Sequence, residues 1–263
     1  MKSQRRSEVC QAVMQQLRDN KIDFLVGGAY ALAEYTRINR DTKDFDLFLR
    51  PEDVEPAMAM WRKAGYAADY TFPHWLAKVQ RGSVYIDIIF RSGNGLGPVD
   101  DDWFQHAREA KIFGVQVKIV PPEELIWQKA YIMERERFDG ADVVHLLSAC
   151  APNLNWDRLV NRFGPDWRIL WSHLILFGFI FPSKRNLIPL KLAKEFGAKV
   201  LKEQTEPALV DPICNGTLLS RIQYESDLND FLDARLTGRS EMSTEELRRW
   251  IEAGSETARR HKP

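Results

Sequence analysis

Three aspartates have the spacing to hold a divalent cation. Asp44 and Asp46 lie two residues apart in a segment of alternating apolar residues, Asp44 to Leu49, so both carboxylates leave one face of a predicted strand. Asp87 interrupts the apolar run from Val84 to Phe90, which is typical of a central strand. Carboxylate oxygens suit Mg²⁺, with substrate phosphates completing its ligands. If the two strands are neighbours, the three aspartates form one metal site.

Each of these features also has a plainer explanation. Asp-x-Asp is common on solvated strand faces, and on its own it is weak evidence for a metal. A carboxylate in an apolar strand needs a partner because its desolvation is costly. For Asp87 that partner could be an arginine or a backbone donor instead of a cation, and the residue types leave both explanations open.

A glycine pair precedes the Asp-x-Asp segment. The short apolar run Phe24-Leu25-Val26 gives way to Gly27-Gly28 and then to an alanine-rich stretch, Ala29 to Tyr35, which predicts a strand, a glycine turn and a helix. Glycine allows a close backbone approach to a phosphate, and a helix start offers free N–H groups to it. A tight connection is nevertheless the commoner reason for such a turn.

Taken in order, these features resemble a known superfamily. The segment LVGGAYALAEYTRINRDTKDFDLFL is similar to nucleotidyltransferases with the DNA polymerase β-like fold. In that superfamily a Gly-Gly or Gly-Ser turn opens a helix, Asp-x-Asp lies on the next strand, and a third acid lies on a neighbouring strand. The positions that match this pattern are Gly27, Gly28, Asp44, Asp46 and Asp87.

Two details refine the resemblance. Arg40-Asp41-Thr42-Lys43-Asp44 resembles bacterial relatives of the abortive-infection toxin nucleotidyltransferases. Those relatives carry a lysine and arginines ahead of an acidic pair on a helix after the sheet, and this chain offers Lys129, Arg135, Arg137, Asp139 and Asp142. One departure is Ala29, where many members have a serine in or after the turn, so backbone donors would have to hold the phosphate.

The resemblance implies a metal-dependent transfer of a nucleoside monophosphate from a triphosphate such as ATP to an acceptor hydroxyl, with release of pyrophosphate. Asp44, Asp46 and Asp87 would be the catalytic and metal-binding residues, with Mg²⁺ or Mn²⁺. The nucleotide would be held by Gly27, Gly28, Lys43 and Lys129. A solvated lysine on an amphipathic helix is the alternative for Lys129.

The acceptor and partners stay open at this point. The superfamily modifies RNA ends, protein side chains and small hydroxylated antibiotics, so the acceptor could be RNA such as tRNA, a protein or a small molecule. A hypothesis of another class is a catalytically silent nucleotide-binding or partner-binding member of a toxin–antitoxin-like system with a cognate partner protein. The three clustered acids favour the enzyme.

The elements around these residues predict an α/β (α+β) fold. Residues 1–120 would form a small mixed β-sheet flanked by helices, including a hairpin of Leu76 to Gln80 with Val84 to Phe90 around the turn Arg81-Gly82-Ser83. From Pro121 the apolar period changes to nearly four, which predicts an all-helical domain over 121–238 that shapes the acceptor side. Its last predicted helix covers Leu218 to Leu236. Residues 239–263 would be a polar tail with one short helix, opened by the capping box Ser243-Thr244-Glu245-Glu246.

Composition excludes several other classes of function. Basic and acidic residues number 37 each, so no global positive field attracts nucleic acid. The three cysteines are too far apart for a zinc spacing or a disulfide framework. The start has no apolar stretch typical of a secretory signal, and the run from Ile169 to Phe181 is too short to span a bilayer. We therefore expect a cytoplasmic protein that does not act at a membrane.

Overall fold

The computed structural model describes residues 2–40, 42, 44–207 and 211–260. The chain divides into two compact units, residues 1–121 with 238–256 and residues 122–237 with 257–263. The helices of the first unit are α1 (Lys2–Asp19), α2 (Gly28–Thr36), α3 (Pro51–Lys63) and α4 (Asp101–Gln105), together with most of α10 (Thr244–Arg260). Its strands are β1 (Leu25–Val26), β2 (Asp46–Phe48), β3 (Ala67–Phe72), β4 (Leu76–Arg81), β5 (Val84–Ile89), β6 (Arg108–Ile112) and β7 (Val115–Ile119).

Within the described residues, the strands of the first unit form one seven-stranded sheet in the order β3-β4-β5-β2-β1-β7-β6. The pairs β2–β5 and β1–β7 are parallel, whereas β1–β2, β3–β4, β4–β5 and β6–β7 are antiparallel. The sheet is therefore mixed, and its centre brings β2 beside β5 although about forty residues separate them along the chain.

One face of the sheet is buried and part of the other is open. On β5, Ile86 and Ile88 are fully buried, whereas Tyr85 is 47% exposed. Because successive side chains point to opposite faces of a strand, Asp87 lies on the same face as Tyr85. The apolar sides of α1 and α3 are also buried, including Met14 and Trp61.

The second unit is mainly helical. Its helices are α5 (Pro122–Ala130), α6 (Gly140–Cys150), α7 (Trp156–Phe163), α8 (Trp167–Ile180) and α9 (Leu190–Thr205). Trp167, Phe177 and Phe196 are buried in its core, whereas Phe179 is 82% exposed. A mixed sheet with helices followed by a helical half confirms the predicted fold class.

The helix predicted over Leu218 to Leu236 is wrong. The structure has short 3-10 turns there, and a two-residue strand β9 (Leu232–Asp233) that pairs in parallel with β8 (Ile213–Cys214). Local polar contacts replace the helical ladder: Ser220 Oγ donates to Glu134 Oε2 at 2.6 Å, and the buried Arg235 side chain pairs with Asp233 at 2.7 Å.

The C-terminal segment carries a longer helix than the short one we expected. α10 begins with the predicted capping box: the Ser243 backbone N–H donates to Glu246 Oε2 at 2.8 Å, and the Glu246 N–H donates to Ser243 Oγ at 3.3 Å. Leu247 and Trp250 are buried in a small apolar cluster that also includes Phe72. None of the helices in the described part of the chain has both the length and the apolar character needed to cross a bilayer.

Candidate active site

The central parallel strand pair places two of the three aspartates side by side. Asp46 on β2 is the direct register partner of Asp87 on β5, and the Asp87 N–H donates to the Phe45 carbonyl at 2.9 Å. Neighbouring strands are about 4.8 Å apart, and directly opposed side chains point to the same face. The strand predicted from Asp44 to Leu49 is shorter in the structure, so Asp44 is exposed and lies before β2 instead of on it.

The Gly27-Gly28 turn lies directly against β2. Gly28 opens α2 with φ +54°, and a Cβ built on it would stand 1.6 Å from Asp46 Oδ2. A Cβ on Gly27 would stand 2.1 Å from the Phe48 ring. A side chain at either position would therefore force the Phe48 or Asp46 side chain to move, and the positive φ at Gly28 also favours glycine there.

The same turn limits which backbone donors can reach a phosphate. The Gly27 N–H donates to the Asp46 carbonyl at 3.0 Å, so it belongs to the sheet. The anion-binding donors of this turn must come from the first turn of α2, beginning at Gly28, because the first N–H groups of a helix lack intrahelical acceptors. The sequence had assigned this role to both glycines.

Arg6 on α1 holds the segment that carries Asp44. Its guanidinium donates to the carbonyl oxygens of Thr42 and Asp44, the latter at 2.8 Å. The Thr42 hydroxyl in turn accepts from the Asp44 N–H at 3.1 Å. Arg6 was not among the predicted site residues. Lys43, predicted to bind the triphosphate, lies outside the described residues.

Asp87 has a lysine partner that the sequence analysis missed. Lys78 on β4 is the register partner of Asp87, and its Nζ lies 2.7 Å from Asp87 Oδ1. The Asp87 side chain is 17% exposed and that of Lys78 is 37% exposed. The open alternative for Asp87, a protein donor, is thus present, although the donor is a lysine and not the expected arginine or backbone group.

The electrostatics of the site reflect burial and crowded carboxylates. Burial raises the pKa of Asp87; contact with Lys78 opposes this shift, and repulsion from Asp44 adds to it. Burial also raises the pKa of Tyr30 in the first turn of α2, with Arg6 lowering it and Asp46 raising it. The negative charges of Asp44 and Asp46 thus raise the pKa values of Asp87 and Tyr30, respectively.

The chemistry of the donor set suits a hard divalent cation. Asp46 and Asp87 offer carboxylate oxygens on one face of the sheet, and the glycine at position 28 leaves room for the Asp46 carboxylate. In the described part of the chain, however, no three acidic, histidine or cysteine side chains stand in an arrangement that could hold a metal ion. The three-carboxylate metal site therefore stays a prediction for the loaded protein.

Lys129 is engaged in ion pairs within the second unit. Its Nζ lies 3.0 Å from Asp139 Oδ2 and 2.8 Å from Asp142 Oδ2, and these side chains are about one-tenth exposed. Burial would raise the pKa of Asp139, but Arg137 and Lys129 outweigh it and hold that pKa below its ordinary value. Arg135 is exposed. These contacts give Lys129 a structural role, and its predicted part in nucleotide binding stays a prediction.

Comparison with known proteins decides the family. Residues 6–162, more than half of the chain, match the family described as "Nucleotidyl transferase of unknown function (DUF2204)". The chain belongs to this family of nucleotidyl transferases. The match includes the glycine turn and all three aspartates, and it confirms the nucleotidyltransferase resemblance. No curated protein matches the sequence.

Several solved structures are similar at low identity. The antibiotic-resistance factor ANT(2'')-Ia is 15% identical, with a TM-score of 0.46 over 66% of this chain and 98% of that chain. An antigenic nucleotidyltransferase-like protein from Paracoccidioides brasiliensis is 16% identical, with a TM-score of 0.46 over 69% and 90% of the respective chains. The lincosamide antibiotic adenylyltransferase LnuA is 13% identical, with a TM-score of 0.40 over 53% and 95%. At such identities and TM-scores the likenesses carry no conclusion about substrate.

Proposed function

We propose that this nucleotidyl transferase moves a nucleoside monophosphate from a nucleoside triphosphate to an acceptor hydroxyl and releases pyrophosphate. The acceptor oxygen would attack the α-phosphorus, forming the new P–O bond as the bond to pyrophosphate breaks. Asp44 and Asp46 would bind the catalytic Mg²⁺ or Mn²⁺ ions, and Asp87 would bind the ion on the acceptor side. Bound there, the ions would lower the pKa of the acceptor hydroxyl and neutralise the leaving pyrophosphate.

Asp87 would also act as the general base. It would take the acceptor's proton on a carboxylate oxygen, and burial, which raises its pKa, makes that carboxylate a stronger base. On the other side of Asp46, the first turn of α2 would present backbone N–H groups and the positive end of the helix to the triphosphate. The sheet order β5-β2-β1 therefore predicts an acceptor side at Asp87 and a phosphate side at Gly28.

The observation that carries the proposal is the pairing of Asp46 with Asp87 beside a glycine whose missing side chain leaves room for the Asp46 carboxylate. In a member of a nucleotidyl transferase family, this combination supports a catalytic carboxylate site.

The proposal is tested by incubating the full chain with Mg²⁺ and each of the four triphosphates, with tRNA or with a protein acceptor, including the chain itself. Pyrophosphate should be released in the wild type and reduced by orders of magnitude in Asp46→Asn. Asp19→Asn is the matched control, because Asp19 is exposed at the end of α1 and its carboxylate accepts from Gln15. Equal release by wild type and Asp46→Asn would contradict the proposal.

A second candidate is favoured by the Lys78–Asp87 ion pair, which already satisfies the third carboxylate without a metal. In this alternative the chain binds a nucleotide or a cognate partner protein without turnover, as in a toxin–antitoxin-like pair. Triphosphate binding by calorimetry, with no pyrophosphate released from any acceptor tried, would favour this alternative over the enzyme.

A further inference from the structure

The β4–β5 hairpin places an ammonium group directly on the third carboxylate. Arg81 pairs with Val84 across the turn, and this register sets Lys78 opposite Asp87. The resulting Nζ–Oδ1 distance is 2.7 Å. This contact occupies an oxygen that, in the proposed function, would bind a divalent cation.

In the absence of a metal ion, the positive charge of Lys78 stabilises the Asp87 carboxylate. Asp87 is largely buried, lies in register with Asp46 and is repelled by Asp44. A buried carboxylate beside others is stabilised by a positive charge in contact with it. Lys78 supplies this charge from a flexible four-carbon stem, and more than a third of its side chain is exposed, so the ammonium has room to leave.

We propose that Lys78 is a stand-in cation, which a divalent metal ion must displace from Asp87 and which thereby sets the metal affinity of the site. The inference rests on the proposed function, because it assumes that Asp87 binds a metal. Lys78 is a positioning residue in this account: it holds the Asp87 carboxylate in place before the metal arrives. The ammonium and the metal ion cannot contact the same oxygen closely, since like charges at a few ångströms repel strongly away from bulk water.

Replacing Lys78 with an uncharged residue should increase the metal affinity of the site for two reasons. Lys78→Met removes the competing charge, and it leaves the Asp87 carboxylate without an ammonium in the metal-free protein. Both changes favour metal binding, so the dissociation constant for Mn²⁺ should fall by about tenfold or more. Lys78→Arg keeps the positive charge and should give no such tightening.

The experiment measures Mn²⁺ and Mg²⁺ binding to the full chain without nucleotide, by calorimetry and by Mn²⁺ electron paramagnetic resonance. Lys118→Met is the matched control, because Lys118 is an exposed strand lysine on β7 opposite an acid, Glu109 on β6. Thermal unfolding with and without metal gives a second readout: the midpoint of Lys78→Met should rise more with Mn²⁺ than that of the wild type. If Lys78→Met does not fold, Lys78→Gln replaces it.

Tighter metal binding in Lys78→Met, absent in Lys78→Arg and Lys118→Met and abolished by adding Asp46→Asn, would support the proposal. A wild type that binds metal as tightly as Lys78→Met would overturn the stand-in role and leave the proposed function intact. Tightening in Lys78→Arg equal to that in Lys78→Met would also overturn it, because charge would not be the cause. Failure of every variant and of the wild type to bind metal would overturn both proposals.

Discussion

A methyl group at position 28 should disable the site by displacing the Asp46 carboxylate, while the protein still folds. In Gly28→Ala the new Cβ would start 1.6 Å from Asp46 Oδ2, whereas an ordinary carbon–oxygen contact is about 3.3 Å. One of the two groups must therefore move by about 1.7 Å. The Asp46 backbone is fixed on both sides, by its register with Asp87 and by the hydrogen bond from Gly27, so the carboxylate is the group that yields.

Gly28→Ala has two separate effects, backbone strain at position 28 and displacement of the Asp46 carboxylate. An L-residue at φ +54° costs about 1–2 kcal/mol of stability, and this cost says nothing about function. Displacing a catalytic carboxylate by more than an ångström commonly lowers turnover by about 100-fold. Gly28→Ala should therefore lose about 100-fold or more in pyrophosphate release and should bind Mn²⁺ more weakly.

Gly65→Ala provides the matched control. Gly65 also has a positive φ, +82°, but a Cβ there meets nothing within 4 Å. Gly65→Ala should lose a similar free energy of unfolding, measured by urea denaturation, and should keep wild-type turnover and metal affinity. If Gly28→Ala matched Gly65→Ala in turnover, metal affinity and unfolding alike, the Asp46 carboxylate would not be displaced in the way the Gly28 contact requires.

Three further predictions concern individual side chains. Asp87→Asn should lower turnover by orders of magnitude and change the free energy of unfolding by less than about 1 kcal/mol. The stability change is small because loss of the partly exposed ion pair with Lys78 is offset by relief of carboxylate repulsion. A clearly destabilised variant that releases pyrophosphate at the wild-type rate would show that Asp87 is not catalytic. Lys129→Met should cost about 3 kcal/mol in urea at neutral pH, because it leaves Asp139 buried with less compensation. The stability difference between Lys129→Met and the wild type should shrink as the pH falls below 3.8, because the stabilisation that accompanies the lowered pKa of Asp139 is lost when its carboxylate is protonated. A difference that persists in acid would exclude the ion pair as its cause. Ser243→Ala should cost about 1 kcal/mol by removing the cap of α10, and unchanged amide exchange in α10 would contradict the cap's role.

The sequence located the aspartates but could not place Lys78, because a hairpin register depends on its turn length. We predicted the three-residue turn Arg81-Gly82-Ser83, which would pair Gln80 with Val84 and set Ala77 opposite Asp87. The structure instead pairs Arg81 with Val84 around a two-residue turn. A shift of one residue moves every side chain to the other face, so the lysine became visible only when the register was known.

Both edge strands of the sheet were also missed. β3 and β6 lie at the two ends of the strand order, and most of their residues are exposed or only partly buried. Alternation of apolar and polar residues is the signal for a strand with one buried face, and an edge strand with few buried side chains carries little of it. The central strands β2 and β5, where Leu47, Ile86 and Ile88 are buried, were predictable for the opposite reason.

The Gly27-Gly28 turn shows a different limit. Its residue types predicted backbone donors for a phosphate, but the Gly27 N–H bonds to Asp46 within the sheet. The missing side chains of the two glycines leave space for β2: Phe48 packs against Gly27, and the Asp46 carboxylate packs against Gly28. Such contacts between distant segments depend on tertiary structure, and spacing along the chain does not contain them.

The central claim, that the carboxylates of Asp44, Asp46 and Asp87 catalyse nucleotidyl transfer, is tested most directly by following both products of one reaction. Triphosphate labelled at the α-phosphate reports incorporation into tRNA or protein, and label at the γ-phosphate reports pyrophosphate. We expect one pyrophosphate for each monophosphate incorporated, in a reaction that requires Mg²⁺ or Mn²⁺, is lost in Asp46→Asn and persists in Asp19→Asn. Transfer that continues in Asp46→Asn, or without a divalent cation, would contradict the account.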